Sequence, residues 1–387
     1  MNKKKITVFI GSRANYSSIK SLMIAIRDHD KYILDVIVSA SANLDRFGNV
    51  TELIEKDGFK ISFSFNNMIE GSRPVSMAKT TGLCLLDVSN ALDALNPDYI
   101  IVVGDRYEMM APTIAAAYMN IKIIHTMGGE VTGTIDESIR HAITKFSHIH
   151  FASNEDAKQR IIKLGENENF VFNIGCPRID LVSKELKKES SRILSKLFKE
   201  NKGVGIPFDL SSPFILVSQH PVTTENDSAS FQIEQTLKAL EHLKINTIML
   251  WPNSDVGSDD ISKAIRKFRE NEDNSFLYLF KNLPINFYIH LMNTAACLVG
   301  NSSSGIREGA YIGTPVVNIG SRQNNRISGQ NVLNCEPNHI EIINAIKDRV
   351  NSGKFDQENI YGDGNAAEKA IKIIDAVNPT VQKTITF

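Results

Sequence analysis

The sequence predicts an α/β protein built from two Rossmann-like, doubly wound parallel sheets. Short apolar runs rich in β-branched residues alternate with amphipathic segments, and the same alternation restarts in the second half of the chain. Continuous apolar strands between helices are typical of parallel strands that are buried on both faces. The length of 387 residues suits two domains of roughly 100 to 200 residues each.

The predicted strands form two series along the chain. The first series is ITVFI, LDVIVSA, YIIVVG, IKIIHT, HIHFAS and NFVFNIG, and the second is PFILVSQ, NTIMLW, SFLYLF, ACLVG and TPVVNIG. Segments such as SIKSLMIAIRDH and MAPTIAAAYMN separate strands of the first series and are predicted helices. Each series therefore predicts one sheet covered by helices.

A charged segment that turns rich in glycine, proline and serine, KELKKESSRILSKLFKENKGVGIPFDLSS, separates the two series. It is typical of a surface helix that runs into a linker. We therefore predict an N-terminal domain over residues 1–185 and a C-terminal domain over residues 186–364. The last helix, within residues 365–387, either closes the second domain or returns to the first, and we predict the return.

Composition excludes several classes of partner. Lysine and arginine total 43 against 44 acidic residues, so no overall charge selects nucleic acid or an anionic membrane. No apolar run approaches the ~20 residues of a membrane span, and the opening MNKKKITVFIGSR reads as a strand and a turn, which predicts a cytoplasmic protein. The four cysteines lack metal-ligand spacing, so we expect neither disulfides nor zinc.

Polar or glycine-rich loops follow nearly every predicted strand. They are GSRANYSS, DRYE, MGGEVTGTIDESIRH, HPVTTE, PNSD, NSSSGIREG and GSRQNNR. Open α/β sheets bind ligands beyond the carboxyl ends of their strands, so these loops are the candidate site.

The segment VGNSSSGIREG predicts a phosphate site. A helix N-terminus presents unsatisfied N–H groups, and the hydroxyls of Ser302, Ser303 and Ser304 add donors without bulk. The alternative is that one serine only caps the helix. Neither GxGxxG nor GxxxxGK[ST] is present, which disfavours NAD and the hydrolysis of nucleoside triphosphates. The ligand class that these observations leave is a diphosphate, bound by main-chain amides and arginines.

Acidic residues cluster in the first half of the chain. Helical spacing places Asp136 near Arg140 and Glu137 near His141, because residues four apart share a helix face. Such pairs are often structural, but carboxylates beside arginines also serve as acid and base pairs. Glu130 lies in a glycine-rich loop, where we expect it to be free to approach a ligand.

With these loops assembled, the chain resembles the hydrolysing UDP-N-acetylglucosamine 2-epimerases, which include bacterial enzymes of sialic acid synthesis. The matching segments run from residue 11 to about residue 367 and are GSRANYS, VVGDRYE, MGGEVTGTIDESIRHAITK, QHPVTT, PNSDVGS, GNSSSGIRE, GSRQNNRISGQNVL and IYGDGNA. The resemblance implies a fold like glycosyltransferase type B, with the substrate in the cleft between the two domains. It also implies a homodimer or homotetramer that needs no metal or redox cofactor.

The resemblance implies a reaction as well. UDP-N-acetylglucosamine loses UDP by elimination across C1 and C2, and water adds to the resulting glycal to release N-acetylmannosamine. Two alternatives stay open beside a glycosyltransferase of the same fold, for which no acceptor site is recognisable. The first is a hydrolysing 2-epimerase of UDP- or GDP-N,N'-diacetylbacillosamine, as in the legionaminic acid pathway. The second is a non-hydrolysing 2-epimerase or a protein that only binds a nucleotide sugar.

Site residues carried over from the resemblance fall into two sets. The implied catalytic residues are Asp105, Glu130, Asp136, Arg140 and His220. The implied substrate-binding residues are Arg13, Ser17, Arg106, Glu137, Asn253, Ser302, Ser303, Glu308 and Arg322.

One position departs from the family pattern. Many relatives carry an acid where this chain has Met127, in HTMGGE, and methionine cannot accept a proton. Either Glu130 or an aspartate supplies the base, or the substrate is a sugar whose substituents need an apolar neighbour. A 4-acetamido-6-deoxy sugar fits the second possibility.

Overall fold

The computed structural model describes residues 3–44, 49–70, 74–132, 135–222, 225, 228–252, 257–270 and 274–386. The chain divides into two units. The first comprises Met1–Val131, Ile135–Leu181 and Tyr361–Phe387, and the second comprises Thr132–Thr134 and Val182–Ile360. The domain limits predicted from the sequence stay a prediction, because this division does not show that either part folds by itself.

The sheet of the first unit has seven strands, and every pair of neighbours is parallel. They are β1 (Lys4–Ile10), β2 (Tyr32–Val38), β3 (Phe63–Ser64), β4 (Tyr99–Val103), β5 (Lys122–Thr126), β6 (Ile149–Ala152) and β7 (Val171–Asn173). Their order across the sheet is β3-β2-β1-β4-β5-β6-β7. The chain reverses its direction of winding between β1 and β4, which makes that junction the topological switch point.

The sheet of the second unit repeats this plan. Its strands are β8 (Gly203–Val204), β9 (Ile215–Ser218), β10 (Thr247–Leu250), β11 (Leu277–Phe280), β12 (Cys297–Gly300), β13 (Val316–Ile319) and β14 (Val332–Cys335). Their order is β14-β13-β12-β9-β10-β11-β8, and only β8 runs antiparallel among the described strands. The switch point of this sheet therefore lies between β9 and β12.

Fifteen α-helices connect and cover the strands in the described ranges. They are α1 (Arg13–Arg27), α2 (Val50–Lys56), α3 (Pro74–Leu95), α4 (Met110–Tyr118), α5 (Asp136–Phe146), α6 (Glu155–Lys163), α7 (Pro177–Leu186), α8 (Ser190–Leu194), α9 (Leu197–Glu200), α10 (Ala229–Leu243), α11 (Ser258–Arg269), α12 (Ile285–Thr294), α13 (Ser303–Ile312), α14 (His339–Ser352) and α15 (Ala366–Ala376). The last helix packs on α1 in the first unit. None of the described helices has the length and apolar character needed to cross a membrane.

The strands form because their side chains are buried on both faces. In β1 and β4 every residue from Ile6 to Ile10 and from Tyr99 to Val103 is buried. All eleven strands predicted from apolar runs are present. The sequence analysis missed β3, β8 and β14, because the first two have only two residues each and the third is a half-buried strand at the edge of its sheet.

Candidate active site

The predicted site residues that the structure describes form two groups, one in each unit, in the loops and helix starts that follow the strands at and beside the switch point of each sheet. In the first unit the loops after β1 and β4 are tied together directly. The side-chain amide of Asn15, near the start of α1, donates to the Val103 carbonyl at the end of β4 at 3.2 Å. The loop of Arg13 and the loop of Asp105 are therefore neighbours. Asn253 lies outside the described residues.

Arg140 joins the loop after β4 to the loop after β5. Its side chain is 1% exposed, and its two terminal nitrogens reach different partners: Nη2 contacts the Asp105 carboxylate and Nη1 donates to the Glu130 carbonyl at 2.6 Å. The Asp105 side chain keeps 25% of its surface exposed. Because the guanidinium is buried, Arg140 orients Asp105 and compensates its charge, whereas Asp105 stays open to a ligand.

The glycine-rich loop after β5 has a tightly constrained backbone. Met127 has a left-handed φ of 64° and Gly129 a φ of 73°. A Cβ on Gly129 would lie 2.1 Å from the Ala157 carbonyl oxygen, so only glycine fits there. This constraint fixes the direction in which the following residue, Glu130, leaves the loop.

Glu130 is held more firmly than the sequence suggested. Its side chain is 4% exposed, and its Oε1 accepts a hydrogen bond from the Ser153 hydroxyl at 2.6 Å. The expectation that a glycine-rich loop leaves Glu130 free to approach a ligand is therefore wrong for this conformation. The glycines serve close packing instead, Gly128 against His125 and Thr144 and Gly129 against Ala157 of α6.

A buried histidine that the sequence analysis did not single out supports the loop after β4 and packs beside the loop after β5. His125, in β5, is fully buried, and its Nε2 donates to the Gly104 carbonyl at 2.8 Å. Burial lowers the pKa of His125 to about 3, so the ring is neutral at physiological pH. His125 thus fixes the residue that precedes Asp105. A histidine inside an apolar strand gives no signal of this contact.

The loop after β4 also contains an ion pair. Arg106 Nε donates to Glu108 Oε1 at 2.7 Å, and the Glu108 side chain is completely buried. The short 3-10 turn Tyr107–Met109 brings Glu108 back under Arg106. The guanidinium of Arg106 therefore has one edge fixed by a carboxylate beneath it.

The start of α1 carries two of the predicted residues, Arg13 and Ser17, and the structure adds a third residue to them. Arg178, at the start of α7, donates from Nη1 to the Ser17 hydroxyl at 3.0 Å. Burial and the nearby charge of Arg178 lower the pKa of Arg13. Two guanidinium groups thus lie close together. The sequence offered a signal for Arg178, because GCPR follows strand β7 as the other polar loops follow theirs.

Asp136 and Glu137 occupy the first turn of α5, where carboxylates interact favourably with the helix dipole. Glu137 Oε1 lies 3.6 Å from His141 Nε2, which confirms the contact predicted from their spacing.

Asn301 organises the group in the second unit. It is 1% exposed, its side-chain amide donates to the His220 carbonyl at 2.8 Å, and its Oδ1 accepts from the His220 N–H at 2.8 Å. Its own carbonyl accepts from Arg322 Nη1 at 3.1 Å and from Gln323 Nε2 at 2.8 Å. One asparagine therefore connects the loops after β9, β12 and β13.

The serine triplet begins α13. Ser302 is the N-cap, and its hydroxyl accepts from the Ser304 N–H at 3.4 Å and lies 2.9 Å from the Ser304 hydroxyl. Capping by Ser302 is thus observed, while phosphate binding stays a prediction. Ser303 is the first helical residue, and Glu308 is buried one turn further on.

No group of three His, Cys, Asp or Glu side chains is arranged to hold a metal ion in the described ranges. The donors assembled at the two switch points are carboxylates, guanidinium groups, hydroxyls and helix N–H groups. This set suits an anionic ligand and proton transfer.

Two parallel α/β sheets with polar loops at both switch points define the class of Rossmann-like proteins that bind their ligands at the carboxyl ends of the strands. Within this class, the chain belongs to the UDP-N-acetylglucosamine 2-epimerase family, which it matches over residues 24–375.

Curated relatives match over nearly their whole length. The UDP-N,N'-diacetylbacillosamine 2-epimerase (hydrolyzing) of Legionella pneumophila is 32% identical over 97% of this chain and 96% of that protein. The GDP/UDP-N,N'-diacetylbacillosamine 2-epimerase (hydrolyzing) of Campylobacter jejuni is 33% identical over 88% of this chain and 86% of its own. The UDP-N-acetylglucosamine 2-epimerase of Neisseria meningitidis is 29% identical over 97% of this chain and 95% of that protein.

Solved structures confirm the predicted fold, which is similar to glycosyltransferase type B. The UDP-GlcNAc 2-epimerase from Neisseria meningitidis bound to UDP-GlcNAc superposes with a TM-score of 0.80 at 16% identity, covering 96% of this chain and all of that chain. The Methanocaldococcus jannaschii UDP-GlcNAc 2-epimerase in complex with UDP-GlcNAc and UDP gives a TM-score of 0.77 at 17% identity, with the same coverage.

Proposed function

We propose that this protein is a hydrolysing 2-epimerase that converts UDP-N-acetylglucosamine or a related UDP-linked 2-acetamido sugar, with water, into the free 2-epimeric sugar and UDP. The observation that best supports this proposal is the Asp105 carboxylate at the switch point of the first sheet, oriented by the buried Arg140 beside Glu130. Membership of the epimerase family supplies the reaction class.

The chemistry explains why such a site is needed. The C2 proton of an acetamido sugar has no adjacent carbonyl and is too weakly acidic to be removed directly. In an elimination the bond from C1 to the diphosphate oxygen breaks as a base takes the C2 proton, and a C1–C2 double bond forms. Water then adds its hydroxyl to C1, and a proton returns to the opposite face of C2. The products are UDP and the 2-epimer.

The residues divide this work by their chemistry. Carboxylates of the first unit are the candidates for moving the C2 proton: Asp105, Glu130 and Asp136. Helix N–H groups, hydroxyls and guanidinium groups are the candidates for stabilising the leaving diphosphate. Those groups come from Arg13, Ser17, Arg106, Ser302, Ser303 and Arg322, with His220 and Glu308 near the serines.

A specific residue favours UDP-N,N'-diacetylbacillosamine as a second candidate substrate. Met127 directly follows β5 in a left-handed conformation, at a position where the family resemblance implies an acid. Its side chain is apolar and only 7% exposed, so it cannot serve as a base and makes this part of the loop apolar. The relatives from Legionella pneumophila and Campylobacter jejuni, which carry that sugar in their names, support the same candidate.

Turnover in deuterated water, followed by proton NMR, tests the proposed reaction. With UDP-N-acetylglucosamine or UDP-N,N'-diacetylbacillosamine we expect release of UDP and a free 2-epimer that carries deuterium at C2. A deuterated sugar that stays attached to UDP would indicate a non-hydrolysing epimerase, and unchanged substrates would indicate a protein that only binds them.

The ratio of kcat/KM for the two UDP-sugars, with GDP-linked diacetylbacillosamine as a third substrate, decides between the candidates. If Met127 sets the preference, Met127→Glu lowers the ratio of diacetylbacillosamine to N-acetylglucosamine turnover. Tyr118→Glu, at the exposed C-terminal end of α4, is the matched control for adding an acid. Equal constants in the wild type would remove the second candidate.

A further inference from the structure

Glu108 is a buried acid to which the proposed reaction assigns no role. It follows β4 by five positions and its side chain is completely buried. Oε1 accepts from Arg106 Nε at 2.7 Å, whereas Oε2 is buried without a hydrogen-bond partner among the described residues. A buried carboxylate with one free oxygen is unfavourable, so its presence at this place needs a physical reason.

The surrounding loop is built around this carboxylate. A Cβ on Gly11, directly after β1, would lie 2.5 Å from Glu108 Cγ and 3.3 Å from Oε1. The loop after β1 thus has a glycine where the Glu108 side chain passes. An apolar side chain could fill the same space without the desolvation of a charge, so packing alone does not explain an acid here.

The contact with Arg106 does explain it. The Arg106 side chain is about one quarter exposed and lies at the switch point, next to Asp105. Fixing Nε on a buried carboxylate sets the plane of the guanidinium and therefore the directions in which its two terminal nitrogens point. The arrangement mirrors the neighbouring pair, in which the buried Arg140 fixes the partly exposed Asp105.

We propose that Glu108 is a positioning residue, which acts through Arg106 by orienting its guanidinium toward the diphosphate of the nucleotide sugar. The inference rests on the proposed function for the identity of the ligand. It assigns one buried counter-ion to each of the two charged residues that begin the loop after β4.

Calorimetric titration with UDP tests this role. Glu108→Gln keeps the size of the side chain and removes its charge, and we expect UDP to bind about two- to tenfold more weakly while kcat changes less than KM. In an Arg106→Ala background, Glu108→Gln should cause no further loss of UDP affinity, because its effect passes through Arg106. Equal losses in both backgrounds would overturn the inference.

Glu166→Gln is the matched control. Glu166 is another buried carboxylate of the first unit. It contacts His150 near the amino end of β6, whereas the predicted site lies at the carboxyl ends of the strands. We expect this change to lower thermal stability and to leave the dissociation constant of UDP unchanged. A loss of UDP affinity equal to that of Glu108→Gln would mean that destabilisation alone explains both.

A measurement without ligand separates this inference from the proposed function. In protein labelled with ¹⁵N-arginine, the Arg106 Nε–H signal, assigned by its loss in Arg106→Lys, should be shifted downfield and protected from exchange, and Glu108→Gln should abolish both properties. A signal at the position of exposed arginines would overturn the positioning role. Failure of the wild type to bind UDP would instead overturn the proposed function, and with it the ligand assigned to Arg106.

Discussion

The two groups of site residues are held in place by different kinds of interaction. In the first unit, charged side chains at the strand ends are fixed by buried residues of opposite charge, Arg140 for Asp105 and Glu108 for Arg106. In the second unit, a neutral asparagine, Asn301, joins the loops, and hydroxyls begin the helix. The first unit thus presents charges oriented by buried counter-ions, whereas the second presents neutral donors together with Arg322, which donates to the Asn301 carbonyl.

The difference fits two chemical tasks. A group that exchanges a proton with carbon needs a defined charge and direction, and a buried counter-ion supplies both. A leaving diphosphate needs donors that stabilise negative charge without holding the product by strong ion pairs alone, and helix N–H groups with hydroxyls meet that need.

The largest effect is expected from a change at Asp105, one of the oriented charges of the first unit. We expect Asp105→Asn to lower kcat by about a hundredfold or more, because the amide cannot take a proton, while the dissociation constant of UDP stays within about twofold. Turnover by NMR and UDP binding by calorimetry measure the two effects. Asp98→Asn, an exposed acid before β4, serves as the control. A variant with normal turnover would show that charge at Asp105 has no part in proton transfer.

Replacing the neutral donors should give the opposite pattern. We expect the double change Ser302→Ala and Ser303→Ala to weaken UDP binding by about tenfold, with a smaller effect on kcat, because it removes two hydroxyl donors and the N-cap. Titration with UDP measures the loss. Ser195→Ala, at an exposed position after α8, is the control. An unchanged affinity would leave Ser302 with capping as its only role.

The smallest expected effect concerns buried charge in the first unit away from the site. Burial by itself would raise the pKa of Glu166, but hydrogen bonds from His150, Lys145 and Lys383 outweigh it and lower the pKa from 4.5 to about 2. Because the folded state has the lower pKa, the stabilisation is complete above pH 4.5 and is lost as the pH falls toward 2.

Thermal unfolding across this pH range measures that contribution. We expect Glu166→Gln to be less stable than the wild type at neutral pH and to lose less of its remaining stability below pH 4.5. Glu55→Gln, an exposed acid on α2, should follow the wild-type profile. Parallel profiles for Glu166→Gln and the wild type would show that Glu166 contributes no charge-dependent stability.

Much of this protein could be predicted from its sequence. The strands from ITVFI to TPVVNIG stand out because parallel strands are apolar throughout, and the helix from Asp136 follows from its spacing of charges. Short or edge strands such as β3 and β14 carry too little apolar sequence to be recognised. His125 was missed because a side chain's partner in another loop leaves no local pattern. Arg178 follows β7 in GCPR, which signals a strand-end loop but not the contact with Ser17.

By itself the sequence determined the order of elements, the polar loops that follow the strands and the family to which the chain belongs, because hydrophobic periodicity and loop composition are local properties. The tertiary structure decided which loops are neighbours. Asp105 and Arg140 are 35 positions apart and His220 and Asn301 are 81 apart, and each pair meets because strand order makes neighbours of the strands that precede them. Glu108 becomes a buried counter-ion, and Glu130 is fixed by its hydrogen bond to Ser153, only because the packed sheet excludes water from both side chains.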